Sequence, residues 1–203
     1  MTWLTLLFSV ALAQTPPPLP KCVDEKATIA KVKSAIAANK KTSAKYDGYK
    51  SALKDDPPAH LAARLVYAEA IAARCKEKAA EIIPLIAAAV GNRIRIRKGD
   101  VASVVFQRDQ FASSLNDYPM SAMHDFLCPS DLGFASAALA AVTEELAAPR
   151  GLLPADTVNY YLFQHDPKLR VPEWAKGGLA AVNHSKSKAL DECVKFFRDP
   201  AFR

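Results

Sequence analysis

The sequence predicts a mainly helical fold with one small β element. Apolar residues recur at three-to-four spacing through the segments around Leu61–Ala72 and Ser130–Ala148, which is the signature of helices with a buried face. Only Thr157–Phe163 alternates while being rich in aromatic and β-branched types, the mark of a half-buried strand. With 203 residues, the chain is long enough for one sizeable core and too short for two ordinary domains plus tails.

Residues 1–13 form an apolar run ending in the small-x-small site Ala11-Leu-Ala13 before Gln14. They read as a secretion signal, although no basic residue opens the run. A bilayer crossing needs about 20 residues, so this run is too short for one, and no stable membrane insertion is expected. Residues 14–21 are a Pro-rich linker, extended and unable to join a helix. An N-terminal arm, 22–56, follows. It holds an amphipathic helix from Asp24 to Ala38, with Ile29, Val32 and Ile36 on one face, then a lysine-rich break and a short piece ending at Asp56-Pro-Pro58. The remainder, 57–203, is read as one domain.

That domain opens with a helix from Ala59 to about Glu81. Pro84 is expected in the first turn of a second helix running to Ile96, closed by Arg93, Arg95, Arg97 and Lys98 and then Gly99. Asp100 caps a brief helix through Val105, and 107–117 reads as a loop. Helices are expected over Pro119–Phe126 and Ser130–Ala148, ended by Pro149-Arg-Gly151, and a last helix over Lys186–Arg198. No period of 20–50 residues repeats, which excludes a solenoid.

The four cysteines, Cys22, Cys75, Cys128 and Cys193, are widely spaced with no Cys-x-x-Cys pair, and the histidines form no local ligand motif with them. Metal binding is therefore not expected, whereas two disulfides suit an oxidising compartment. Three pairings are open; Cys75–Cys128 with Cys22–Cys193 is the one expected. Cys22 is not read as a lipidated cysteine, because Pro20-Lys21 interrupts the small-residue box.

The residue that draws attention to chemistry is Glu69, within Leu61-Ala-Ala-Arg-Leu-Val-Tyr-Ala-Glu-Ala70. An ionisable carboxylate amid apolar neighbours has its protonated form favoured by desolvation, the state needed by a general acid. Periodicity alone favours the wet edge of an ordinary amphipathic helix, since surface glutamates far outnumber catalytic ones.

Arg64-Leu-Val-Tyr-Ala-Glu-Ala70 resembles the signature of the SleB-like cell wall hydrolase family, the spore cortex-lytic enzymes. Ala88-Ala-Val-Gly-Asn-Arg-Ile94 is similar to that family's next helix, and Val104 to Ser114 to its hydrophobic turn followed by Gln-Phe-Ser. Val158-Asn-Tyr-Tyr-Leu-Phe163, Pro172-Glu-Trp174 and Lys195-Phe-Phe-Arg198 match later blocks in the family's order. The sequence departs from the family after Glu69, reading Ala70-Ile-Ala-Ala-Arg-Cys-Lys-Glu77 where Ala-Arg-Gly-Glu is usual, and at Val194, which stands in place of a closing histidine.

The resemblance implies a lysozyme-like α+β fold and cleavage of peptidoglycan glycan strands by one glutamate, as in lytic transglycosylases, with no cofactor. Glu69 would be the acid, with Gln110 and Ser113 binding acetamido groups. Tyr160, Tyr161 and Trp174 are candidates for lining a sugar groove; adjacent strand residues alternate faces, so only one of the two tyrosines can do so. Asn92-Arg93 reads as structural, positioning the second helix. Asp109 and Asp125 are the acids that could activate water instead. The alternative is a non-catalytic peptidoglycan- or polyanion-binding protein on the same scaffold.

The net charge of +6 and a pI near 9.1 suit a polyanionic partner, and a cell wall qualifies. Nucleic acid does not, since the basic residues are scattered among acids without a recognition motif. Periplasmic or extracellular localisation follows from the expected export and disulfides.

Overall fold

The computed structural model describes residues 18–22, 27, 30, 50, 53–72, 75–107, 125–162, 180–182 and 190–199. Among these, four helices and a three-stranded antiparallel sheet share one hydrophobic core. The expected leader at 1–13 and the helix over 24–38, apart from isolated positions within it, lie outside the described residues.

Helix α1 runs Pro58–Ala72. Pro58 suits its first position, where the missing N–H costs nothing, and the Leu61 amide donates to the Pro57 carbonyl at 3.0 Å. Every residue from Leu61 to Ala70 is buried. This is not an amphipathic helix with one wet face: α2, α3 and α4 pack around it, and its many alanines allow close approach.

The expected continuation to Glu81 does not occur. Cys75 sits at φ −108°, ψ 60°, outside helical space, and a 3-10 turn at Lys76–Lys78 precedes helix α2 at Ala79–Ile96. Pro84 therefore lies inside α2, not in its first turn. A proline there removes the bond to the carbonyl four residues back; that residue, Ala80, is exposed, so water can take over.

The end of α2 follows the expected punctuation. The Gly99 amide donates to the Ile94 carbonyl at 2.8 Å, and Gly99 has φ +85°, as a left-handed cap requires. Asp100 accepts from the Ser103 amide at 2.9 Å to start α3, Val101–Val105. Asp131 likewise accepts from the Phe134 amide at 3.1 Å and caps α4, Leu132–Ala147.

Strand β1 (Thr157–Leu162) pairs with β3 (Val194–Arg198), which also pairs with β2 (Ala180–Val182), so the last strand in the chain is the central one. The helix expected over Lys186–Arg198 is thus corrected from Leu190 onward. The segment Val194-Lys-Phe-Phe-Arg198 pairs on both edges, burying Val194, Phe196 and Phe197 and exposing Lys195. Its backbone hydrogen bonds go to two neighbouring strands, and the aromatic pair suits a pleated surface better than a helix.

The disulfides are Cys22–Cys128 and Cys75–Cys193, not the expected Cys75–Cys128 with Cys22–Cys193. Strand β3 brings Cys193 to the turn after α1, and the segment before α4 brings Cys128 to the incoming chain at Cys22. Leu53 of the arm is 2 % exposed within the core, and Leu19 of the preceding linker packs against it.

Arg64 fixes the same region. Its guanidinium, with 0 % side-chain exposure, pairs with Asp56 at 2.6 Å. It also donates to the carbonyls of Lys21 at 2.5 Å, Phe126 at 3.2 Å and Leu127 at 2.7 Å. One buried cation thus joins α1 to three separate stretches of chain. No helix among the described residues is long and apolar enough to cross a membrane.

Candidate functional site

Glu69 is 2 % exposed. The wet-edge reading of this residue is therefore set aside, because α1 is enclosed on all sides. Its charge bears on the Tyr160 phenol of β1, pushing that group's pKa up. It also attracts the Arg93 guanidinium of α2. Three elements, α1, α2 and β1, each contribute one ionisable side chain to a cluster at the junction of helices and sheet.

Tyr160 is placed by the sheet. It stands opposite Phe196 in the β1–β3 register, with ring centroids 5.9 Å apart and planes inclined by 53°, an edge-inclined contact of the favourable kind. Its phenol oxygen is shut off from solvent. Burial holds this phenol well above the ordinary tyrosine range, and the Glu69 charge adds to the effect while Arg93 opposes it.

Arg93 is 9 % exposed. Burial lowers its pKa from the usual arginine value; Tyr160 and Glu69 counter that, and the neighbouring Arg97 reinforces it. Its Nε donates to the Val158 carbonyl and a terminal nitrogen donates to Asn159 Oδ1 at 2.8 Å. The β1–β3 register shifts between Thr157 and Asn159, leaving Val158 as the extra residue of a bulge. Arg93 binds the carbonyl at that irregularity.

Next to it, Asn92 Nδ2 donates to the carbonyls of Pro154 and Thr157, each at 2.9 Å. Asn92-Arg93, read from the sequence as structural, ties α2 to the start of β1. Arg95 completes this side by donating to Asn92 Oδ1 at 2.5 Å and to the buried Glu145 of α4 at 2.8 Å.

No protein-family model, curated protein or solved structure matches this chain.

Of the site residues expected from the sequence, the structure brings Glu69 and Tyr160 together. Tyr161 lies in β1 by its backbone. Gln110, Ser113 and Trp174, with Asp109, lie outside the described residues. Asp125 is occupied elsewhere: it accepts from Ser130 Oγ at 2.7 Å and from the Tyr67 hydroxyl at 3.4 Å, while Tyr67 accepts from the Asp131 amide at 2.9 Å. That network braces the entrance to α4.

Among the described residues no group of three His, Cys, Asp or Glu side chains could hold a metal. Sequence reasoning missed Arg93 as a member of the cluster. The available signal was a polar pair, Asn92-Arg93, inside the apolar stretch Leu85–Ile94, whose partners only the placement of β1 reveals.

Proposed function

We propose that this protein cleaves the glycosidic bond between N-acetylmuramic acid and N-acetylglucosamine in peptidoglycan, using Glu69 as its single acid–base residue. The observation that carries this reading is the burial of Glu69 in α1, against Tyr160 of the sheet. Desolvation favours the neutral carboxyl that a proton donor needs, and a helical glutamate facing a small antiparallel sheet agrees with a lysozyme-like arrangement.

In this scheme Glu69 donates its proton to the leaving N-acetylglucosamine oxygen as the anomeric C–O bond breaks. The resulting carboxylate then takes the proton of the muramic acid 6-hydroxyl, whose oxygen attacks the anomeric carbon. The products are a free 4-hydroxyl and a 1,6-anhydro end, with Glu69 protonated again. No second carboxylate is required, in contrast to the usual two-acid glycosidases. Gln110, Ser113, Tyr161 and Trp174 are proposed to bind the glycan on the basis of the family resemblance. Two disulfides support a periplasmic or extracellular location, and the net charge of +6 suits an anionic wall.

A second reading, a wall- or polyanion-binding protein without catalysis, is favoured by the attraction between Glu69 and Arg93. A cation beside the carboxylate stabilises its ionised form, which suits an internal ion pair better than an acid.

Digestion of purified sacculi, with fragments identified by mass spectrometry, separates the two. Anhydro-muramic ends released by the wild type and lost in Glu69→Gln, with an unchanged circular dichroism spectrum, are expected for the enzyme. Reducing ends would make it a hydrolase, and sacculus binding without release would make it a binder. Undiminished release by Glu69→Gln refutes the assignment.

A further inference from the structure

We propose that a half-open cavity of about 460 Å³ at the end of the helical layer binds a small monocarboxylate with an apolar body, whose carboxylate is taken by Arg95. The site is separate from Glu69. Pro58, which lines the cavity, precedes that residue by eleven positions of α1, roughly 16 Å along the helix axis. Binding here does not depend on the role given to Glu69.

All four helices bring an end to this place. Pro58 opens α1, Ile94 and Arg95 lie in the last turn of α2, and Val101 opens α3. Leu146 lies in the last turn of α4, with Pro149 just beyond. Ile94 and Val101 are buried and form the inner wall. Leu146 is 36 % exposed, one of two large hydrophobic side chains so placed among the described residues. The two proline rings are stiff walls. Gly99, between α2 and α3, leaves room: a Cβ there would meet no atom within 4 Å. Apolar walls with a few placed polar groups, around a volume of this size, are the usual composition of a small-molecule site.

The polar group is Arg95, whose side chain is 37 % exposed. Its guanidinium is fixed from the protein side. One terminal nitrogen, Nη1, donates to the Glu145 carbonyl at 3.3 Å. The other, Nη2, donates to Glu145 Oε1 at 2.8 Å and to Asn92 Oδ1 at 2.5 Å. A guanidinium carries five N–H groups, so Nε–H and one Nη1–H have no partner among the described residues. A cation already held in place loses little side-chain freedom when a ligand arrives.

The surrounding charge decides the sign of that ligand. Glu145 is 3 % exposed, and its second oxygen accepts from the Arg150 amide at 3.2 Å, so this counter-charge is engaged inside the protein. Glu144 pairs with Arg150 at 2.9 Å, and Asp100 caps α3. Arg97 and Lys98 are exposed and form no ion pair among the described residues. Against them stands Asp55, exposed three residues ahead of Pro58. A carboxylate complements the open donors of Arg95, whereas an alkylammonium is repelled by Arg95, Arg97 and Lys98.

The test is a titration of the isotope-labelled, disulfide-intact full chain followed by heteronuclear NMR. Octanoate, below its micellar concentration, is expected to shift the Gly99, Val101 and Leu146 amides saturably. Octylamine, with the same chain and an ammonium head, should bind about tenfold more weakly or worse, as for loss of one charged hydrogen bond. Leu146→Glu puts a carboxylate on the exposed wall without touching the Arg95–Glu145 pair, and should weaken octanoate binding by about tenfold or more. Arg95→Gln should bind octanoate and octanamide alike. If that variant does not fold, octylamine and Leu146→Glu carry the test.

No saturable shift at millimolar octanoate, shifts confined to other residues, octylamine binding as tightly, or folded Leu146→Glu binding like the wild type would each overturn the assignment. Phosphatidylglycerol vesicles form the last arm: shifts of these amides with vesicles and none with octanoate would mean contact with a lipid surface, and would overturn it too. Sacculus cleavage plays no part in this readout, so failure of the site and failure of the proposed enzymatic function are told apart.

Discussion

Replacing Arg64 by leucine examines whether one buried cation holds three chain segments to α1. The substitution deletes the guanidinium but keeps an apolar stem of similar reach, so loss of packing is small. Four partners are left behind. Asp56 is 20 % exposed in its side chain and Lys21 is exposed, so both can turn to water.

Phe126 and Leu127, each 0 % exposed, cannot. Their carbonyls accept from Arg64 at 3.2 and 2.7 Å, and each left unsatisfied costs about 1–3 kcal/mol. Removing the cation also removes its own desolvation penalty, which offsets part of that loss. A net destabilisation of about 3 kcal/mol is expected.

For a domain of this size that corresponds to a fall in Tm of about 6–12 °C. Thermal and urea unfolding under non-reducing conditions, followed by circular dichroism, read it out. Asp56→Asn is the comparison: it removes the counter-charge of a buried guanidinium but keeps both buried carbonyl bonds, so it should cost less than Arg64→Leu. An Arg64→Leu protein within about 0.5 kcal/mol of wild type, well below the cost of two orphaned carbonyls, would show that the segments are held by other contacts.

Other outcomes follow from neighbouring features. Gly91→Ala would place a Cβ 2.6 Å from Glu145 Cγ; the carboxylate that Arg95 holds must shift, and urea unfolding should show a loss of about 1–3 kcal/mol. Opening Cys75–Cys193, which closes a separation of 118 residues, should cost up to about 5 kcal/mol by chain entropy, measured as a drop in urea midpoint for the Cys75→Ser/Cys193→Ser pair. The phenol of Tyr160 is raised in the folded state, so its contribution is complete below about pH 10, where the unfolded phenol begins to ionise. Stability should therefore decline as pH rises above that point, and Tyr160→Phe should lessen the decline in alkaline unfolding curves.

Helix boundaries set by capping chemistry were legible in the sequence. Asp100, Gly99 and the Pro149-Arg-Gly151 stop act through local hydrogen bonds and backbone preference, so their neighbours in sequence suffice. The burial of Glu69 could be suspected from its apolar flanks, but whether the helix had one dry face or a dry circumference depended on α2, α3 and α4. The final strand was misread as a helix because what decides Val194–Arg198 is its pairing with β1 and β2, which its own sequence neighbours do not reveal. That error carried into the cysteines: with residue 193 inside a supposed helix, nothing placed it beside Cys75. Pro84 lies deeper in its helix than expected because α2 starts at Ala79, directly after the 3-10 turn at Lys76–Lys78. The Glu69–Tyr160–Arg93 cluster joins residues 24 and 67 positions apart, a relationship that no window of sequence contains.

The crossing of the two sulfur bridges has a consequence for survival of the molecule under attack. In chain order the partners run 22, 75, 128, 193, with the first joined to the third and the second to the fourth. A protease that cuts one peptide bond anywhere between the outermost cysteines produces two pieces that stay covalently tied. In the central stretch, between 75 and 128, the pieces are tied twice. A nick there is invisible on a non-reducing gel, and the clipped protein remains a single particle until its thiols are restored.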